Sequence, residues 1–313
     1  MEAIMNRFMG GVLSRSVLFL MAGGMLTHAV EPGFVLRPSR GQAPSQHCQI
    51  LDETVEPLYS AGLTYLPTSE YAGHGRTGQM ELDAGLKIAF FEDVAQGDLD
   101  VGARFRGILY PRSANIGLPN QLASLAADIT WSWRFHDGFG AQFLAAPGFY
   151  WDIEDLSLDM LFVPFSGRII RTYNRDVSAI LGLDIRPGFE TLVVPVIGVD
   201  WQIHESLRLR ARFPESRMTA YFQNWSVYAG YRWDSQSYRL KEKGPYDRDL
   251  FTIEDQRLFL GAVGWMSPDL HVFGEVGRVF DRSVEFGESV PDISAKVKVG
   301  STQFLRFGVG GPF

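Results

Sequence analysis

Arginines at alternate positions are the feature of this sequence that most directly predicts chemistry. Arg208, Arg210 and Arg212 are separated by single apolar residues. Because successive side chains of a β-strand point to opposite faces, this spacing places three guanidinium groups in a row on one face. Such a row favours anions where it lines a channel, and is neutralised where acids face it from neighbouring strands. An ion selectivity unchanged by alanine at all three positions would exclude the first interpretation.

A second group of charged residues lies further along the chain. Glu275 and Arg282 occur in one predicted strand, close to Asp281 and Glu285. This grouping predicts a cluster of ion pairs in a wet interior. Each pair contributes only about 0–1 kcal/mol in contact with water, so the cluster is interpreted as part of a polar surface.

The sequence predicts no catalytic, cofactor-binding or metal-binding residue. Gly73–Gly78 matches the pattern G-x-G-x-x-G, but an alternating stretch from Met80 follows it where dinucleotide binding requires a helix. No two histidines have metal-ligand spacing on one element. His271 is the one candidate for a Ser–His pair, and no particular serine is marked out as its partner. We therefore predict a protein without enzymatic activity and without a cofactor.

Composition narrows the choice of fold that positions these residues. The chain has 313 residues, 46% of them hydrophobic and 21% charged, which excludes disorder. This length predicts either two domains or one large single-sheet barrel. The formal net charge of −7 argues against sequence-independent binding to nucleic acid.

The start of the chain has the pattern of an export signal. Residues 1–29 combine a positively charged start, an apolar run and a small-residue cleavage site ending at Ala29. The apolar run is about ten residues long, whereas a membrane-spanning helix needs about 20. We predict cleavage near Ala29, a flexible segment over 30–57 and one barrel domain over 58–313.

From about residue 58 onward, apolar and polar residues alternate with a period of two, which predicts β-strands. There are about 13 candidate strands, several of them long enough to cross a bilayer at a tilt. Because bacterial barrels close with an even number of strands, we predict about twelve. The first segment and 160–173 are the weakest candidates. The candidates are 58–66, 78–92, 98–110, 122–135, 139–152, 160–173, 176–187, 192–203, 207–223, 225–240, 254–266, 270–286 and 297–313.

Alternation alone does not say whether the apolar face points inward or outward. Aromatic residues near the predicted strand ends are typical of the two interfaces of a membrane barrel. Phe307, Val309 and Phe313 share one face of the last strand, a pattern similar to the C-terminal sorting signal of bacterial outer-membrane barrels. Only helices and closed barrels satisfy all backbone groups in hydrocarbon. We therefore predict an all-β fold, a single antiparallel transmembrane β-barrel with its apolar face outward.

Several stretches of the chain resemble a family of secreted, predicted outer-membrane β-barrels of unknown function from bacteria. The resemblance covers roughly residues 56–313. It implies a location and a fold, but no activity and no site residues. The stretches are Leu181–Asp184, Val194–Trp201, Arg212–Ser216, Asp255–Leu258 and Glu275–Arg282.

These observations predict an outer-membrane barrel that acts as a passive pore or as a structural barrel. Its expected partners are outer-membrane lipid, the barrel-assembly machinery and small solutes, with no nucleic acid. Three alternatives remain open at this point. They are a barrel that binds or transports an apolar ligand and carries a plug, a membrane-embedded hydrolase, and a soluble periplasmic β-sandwich.

Overall fold

The computed structural model describes residues 58–311 apart from 72–74, 112–116, 136–137, 154–156, 245–247, 268 and 288–294. The predicted signal peptide, the segment 30–57 and Phe313 lie outside the described residues and stay predictions. Within the described part of the chain, no helix is long and apolar enough to cross a membrane.

Seventeen strand segments form one sheet. Alternating sequences with many β-branched and aromatic residues favour this extended structure. The segments are β1 (Tyr59–Tyr71), β2 (Gly75–Val94), β3 (Gly97–Leu109), β4 (Gln121–Arg134), β5 (Phe139–Ala145), β6 (Gly148–Trp151), β7 (Leu161–Phe162), β8 (Phe165–Thr172), β9 (Val177–Ile185), β10 (Val193–His204), β11 (Leu207–Phe213), β12 (Glu215–Tyr221), β13 (Trp225–Gly244), β14 (Arg248–Ser267), β15 (Leu270–Gly287), β16 (Ala295–Val299) and β17 (Thr302–Gly311).

The sheet closes on itself into a barrel of 14 strands. Closure is made by β1, which pairs with β2 on one side and with β17 on the other, so that Tyr65 lies opposite both Met80 and Leu305. Three barrel strands consist of two consecutive segments each, namely β5 with β6, β7 with β8, and β16 with β17. Because β1 is paired on both sides, the sheet has no terminal edge strand.

The predicted barrel is confirmed, with 14 strands rather than about twelve. Both of the weakest candidates, the first segment and 160–173, are strands. The prediction of a single strand over 207–223 is wrong, because this segment folds as the hairpin of β11 and β12. Pro214 lies in the turn of this hairpin. A turn this tight hardly interrupts the alternation, so periodicity alone does not reveal it.

The apolar face of the barrel points outward, as predicted. Leu181, Ile197, Leu260 and Phe307 are 58–62% exposed on the outer surface. Val309, at 40%, shares this face with Phe307. A continuous exposed apolar belt is unstable in water and stable in hydrocarbon, where a closed barrel pairs its backbone groups internally. The soluble sandwich, which requires these side chains to be buried, is excluded.

The two ends of the barrel differ. At one end, here called the turn end, strands are joined by short turns, as between β10 and β11. Trp201 and Trp225 lie exposed there, consistent with the predicted aromatic girdle. The opposite end, here called the loop end, carries the longer connections. In bacterial barrels short turns face the periplasm and longer loops face outward.

Candidate functional site

The candidate site is the barrel lumen, which is flattened toward the loop end. Strands spaced about 4.8 Å apart and tilted by about 40° would make a circular 14-strand barrel about 28 Å across. Instead, opposite walls touch. Arg106 on β3 contacts Asp234 on β13 at 2.7 Å (Nη1 to Oδ2), and Arg239 on β13 pairs through its backbone with Trp151 on β6. The barrel is therefore a narrow slot at this level.

Apolar side chains fill the lumen at the loop end. Tyr71, Tyr238, Phe251 and Phe286 are at most 1% exposed and belong to one packed cluster that includes residues of β1, β3, β4, β13, β14, β15 and β16. Tyr150, which the sequence assigned to an aromatic girdle, points into this cluster. Packing of this density leaves no room for a ligand. The cluster therefore works as a plug made from the wall itself.

Beneath the plug lies a buried network of ion pairs. Arg257 on β14 makes two hydrogen bonds to Glu81 on β2, at 2.7 and 3.1 Å, and two to Asp255, both at 2.9 Å. Arg106 joins the network through Glu81 at 3.3 Å and through Asp234. Arg257, Glu81 and Asp255 are at most 5% exposed. Because a buried charge needs a partner, this network holds the wall of β2 and β3 against the wall of β13 and β14.

A cavity of about 500 Å³ lies beside this network. Its described lining is dominated by charged side chains, with arginines outnumbering carboxylates. Apolar contributions come from Leu144, Phe165 and Phe189. The charged lining residues are Arg104, Arg106, Arg168, Arg186, Arg232, Arg257, Arg306, Glu81, Asp83, Asp184 and Asp234. Asp128, Glu215, Asp255 and Glu275 pair with four of these arginines from outside the lining, so the cavity wall as a whole is balanced in charge. Locally, Arg168 and Arg186 share the single carboxylate of Asp184, which leaves that part of the wall positive.

The arginine stripe predicted from the sequence converges on one carboxylate. Asp200 on β10 accepts hydrogen bonds from Arg208 at 3.0 Å and from Arg212 at 2.7 Å, and Arg210 lies 3.9 Å away. The strand register explains this arrangement, because Arg210 lies directly opposite Asp200 and the other two lie diagonally. One carboxylate among three guanidinium groups leaves this group of four with a positive excess. The stripe does not line the cavity described above.

Glu275 and Arg282 both face the lumen but have separate partners. Glu275 accepts a hydrogen bond from Tyr228 at 2.9 Å and pairs with Arg306 at 3.3 Å. Arg282 donates to Ser69 at 3.1 Å and to Gln79 at 2.7 Å. A register shift in the pairing of β14 with β15, next to Asp281 with its positive φ of 46°, turns Arg282 inward. These side chains thus pack the lumen wall.

The described histidines form no site with evident chemistry. His204 contacts Ser206 at 3.1 Å in the exposed turn between β10 and β11, and its Nδ1 also accepts the backbone N–H of Ser206 at 3.3 Å. This is a local turn contact that points into no cavity. The ring of His271 lies 5.0 Å from the ring of Trp265 and is tilted by 59° against it. Among the described residues, no group of three or more potential ligands could hold a metal ion.

Comparison with known proteins adds a likeness of architecture. No family model and no curated protein match the chain. The KdgM porin in complex with disordered oligogalacturonate is 8% identical, with a TM-score of 0.34 over 80% of this chain and 99% of that one. The NanC porin is 7% identical, with a TM-score of 0.37 over 82% and 100%. The COG4313 outer membrane channel from Pseudomonas putida F1 is 12% identical, with a TM-score of 0.38 over 90% and 99%.

All three of these proteins are outer-membrane barrels. At such identities and TM-scores the likeness is one of barrel architecture alone, and a shared architecture does not imply a shared solute.

Proposed function

We propose that the chain is a bacterial outer-membrane barrel, cleaved near Ala29, that passes small anionic solutes through its lumen without catalysing a reaction. One observation carries the proposal, namely the stripe of Arg208, Arg210 and Arg212, whose three guanidinium groups share the single carboxylate of Asp200. Lipid surrounds the apolar belt, and the C-terminal sequence with Phe307, Val309 and Phe313 is the expected signal for the barrel-assembly machinery. The resemblance to outer-membrane barrels of unknown function supports the same location.

The stripe of Arg208, Arg210 and Arg212 lies in the lumen wall on the turn-end side of the cavity. These side chains are 16–30% exposed. An anion moving from the turn end therefore meets partly hydrated guanidinium groups before it reaches the cavity. Rings of fixed cations raise the local anion concentration in this way.

The test is the zero-current potential of the purified barrel in a planar bilayer that separates two KCl concentrations. The proposal predicts a potential of the sign that chloride preference gives. Alanine at Arg208, Arg210 and Arg212 together should move it toward zero, and lysine at the same positions should keep it. Arg278→Ala is the matched control, because Arg278 is exposed and binds Ser301 at 2.8 Å outside the lumen. Cation preference, or a barrel that conducts nothing and is structural, would overturn the proposal.

A further inference from the structure

The barrel wall contains a gap in its strand pairing between β10 and β13, here called the seam. β11 and β12 have seven residues each, whereas β10 has 12 and β13 has 20. The tip of the β11–β12 hairpin reaches only to Ile197 of β10, which pairs with Phe213, and to Trp233 of β13, which bonds to Pro214. Beyond that tip, β10 and β13 have no strand between them.

In the described part of the sheet, no strand ladder covers the edges that face the seam. Residues 193–196 of β10 have strand pairing with β9 only. On β13, residues 234–239 pair with β14, while Arg239 also contacts β6 and the backbone N–H of Lys241 donates to Asp152 at 2.9 Å. Pro195 lies on the free edge of β10, a position that suits a residue without a backbone N–H.

The loop 186–192 closes this seam with side-chain contacts. Arg186 donates from Nη1 to the backbone oxygen of Ser235 at 2.7 Å, and Thr191 and Ser235 meet through their hydroxyls at 3.3 Å. The backbone N–H of Glu190 donates to the hydroxyl of Ser237 at 3.2 Å. Three separate hydrogen bonds are easier to break than a continuous ladder, because each contributes only about 0.5–1.5 kcal/mol, or about 1.5–3 kcal/mol where the donor is charged.

On the outer surface of the barrel, the seam lies at the loop-end rim of the apolar belt. Leu192, Val193 and Ile197 are 53%, 48% and 58% exposed on the outer surface beside it. Its inner end opens on the cavity, because Arg186, Asp234 and Ser235 are also cavity-lining residues. The seam therefore lies between the cavity and the outer surface of the barrel.

The direct way out of the cavity toward the loop end is blocked. The side chains of the apolar cluster on the loop-end side of the cavity have almost no exposed surface. The network of Arg257, Glu81 and Asp255 holds opposite walls of the barrel together. Opening that route would break many buried contacts, including charge-assisted hydrogen bonds. Opening the seam breaks the three hydrogen bonds of one loop and the ring contacts of Phe189 with Tyr150 and Phe162, none of which belongs to the network of Arg257.

We infer that the seam between β10 and β13 is a lateral gate, through which small anions carrying an apolar group pass between the cavity and the outer rim of the membrane. Arg168 and Arg186, which share the one carboxylate of Asp184 beside the seam, fit the anionic group. Phe165, Phe189 and Leu144 fit the apolar one. This inference rests on the proposed anion-passing function and specifies the route and the class of solute.

A disulfide across the seam tests the route. In a Cys48→Ser background, Thr191→Cys with Ser235→Cys places two thiols where the hydroxyls now meet at 3.3 Å. The matched control is Thr172→Cys with Ser178→Cys, whose hydroxyls meet at 3.1 Å between β8 and β9, strands that are already paired. The assay is the efflux of p-toluenesulfonate, an anion at every relevant pH, from vesicles that contain the barrel.

The gate predicts that oxidation of the seam pair reduces efflux to that of protein-free vesicles, that reduction restores it, and that the control pair has no effect. Unchanged efflux in the oxidised seam pair, with anion preference intact, would overturn the gate and leave the proposed function standing. Absence of anion preference in the reduced barrel would instead overturn the proposed function.

A second measurement judges the gate without any transport. Ser237 is fully buried under the loop, so a Ser237→Cys variant reacts with a thiol reagent only when the seam opens. Removal of the Arg186 contact by Arg186→Ala should accelerate this reaction about tenfold, the effect of losing one hydrogen bond from a charged donor. The same change should not affect a Ser226→Cys variant, whose site lies in the fully paired part of β13. Equal rates with and without Arg186 would overturn the gate.

The loop also carries a titratable group at the seam. Glu190 lies beyond the strands, and burial together with the neighbouring Glu285 raises the pKa of its carboxyl, against the opposing effect of Lys296. Its protonated form therefore favours the closed loop.

Discussion

The ion network beneath the plug gives the sharpest prediction about stability. Replacement of Arg257 by alanine removes four hydrogen bonds. Glu81 keeps its contacts with Arg106 and Gln79, whereas Asp255 loses its buried guanidinium partner. Breaking a buried ion pair by removing one partner costs about 3–5 kcal/mol, because the remaining charges are uncompensated. We expect a loss of that size in the free energy of unfolding.

The assay is guanidinium unfolding of the barrel in detergent micelles, followed by tryptophan fluorescence. Arg278→Ala serves as the control and should change the unfolding free energy by less than about 0.5 kcal/mol, since Arg278 is exposed. A neutral triple variant, Arg257→Met with Glu81→Gln and Asp255→Asn, should recover most of the loss, because no buried charge then lacks a partner. An Arg257→Ala barrel as stable as the control would refute the reasoning.

Three further predictions follow from the lumen, the seam and the outer belt. Asp200→Asn should increase anion preference in the bilayer, since it frees three arginines from their shared acid; a lower preference would contradict this. As the pH rises through the raised pKa of Glu190, the closed seam should lose stability. The Ser237→Cys variant should then react faster with the thiol reagent, relative to the Ser226→Cys control. Addition of Glu190→Gln should abolish this pH dependence. Leu260→Arg on the lipid face should cost up to about 2–4 kcal/mol and reduce the folded fraction on an unheated gel; full assembly would argue against a lipid-facing Leu260.

The sequence predicted the parts of this fold that depend on periodicity. The outward face of β10, β14 and β17 follows directly from alternate apolar residues such as Ile197, Leu260 and Phe307. The strand number was less predictable, because a hairpin turn at Pro214 interrupts the alternation too little to be seen. Closure itself follows from the need to pair every backbone group in hydrocarbon.

The candidate site was predictable only in part. Local spacing placed Arg208, Arg210 and Arg212 on one face. Their shared contact with Asp200 follows from the register with the neighbouring strand β10. By contrast, Glu81 and Arg257 are 176 residues apart, and their contact depends on how far the barrel flattens. No local sequence pattern predicts how closely opposite walls of the barrel approach each other.

The plug and the seam were missed for the same reason. Tyr238, Phe251 and Phe286 lie on parts of strands that extend past the apolar belt, where the alternation gives no sign of which solvent they meet. The unequal strand lengths of β11 and β13, which create the seam, depend on the hairpin that the sequence concealed.

The most direct test of the account is the fractionation of cells that express the full-length protein, combined with electrophoresis before and after heating. A closed barrel with an apolar exterior predicts recovery in the outer-membrane fraction and a faster-migrating band before heating, because the folded barrel resists unfolding by detergent. Recovery in the soluble periplasmic fraction, without a heat-dependent change in mobility, would contradict the membrane barrel and every lipid-facing assignment made from it.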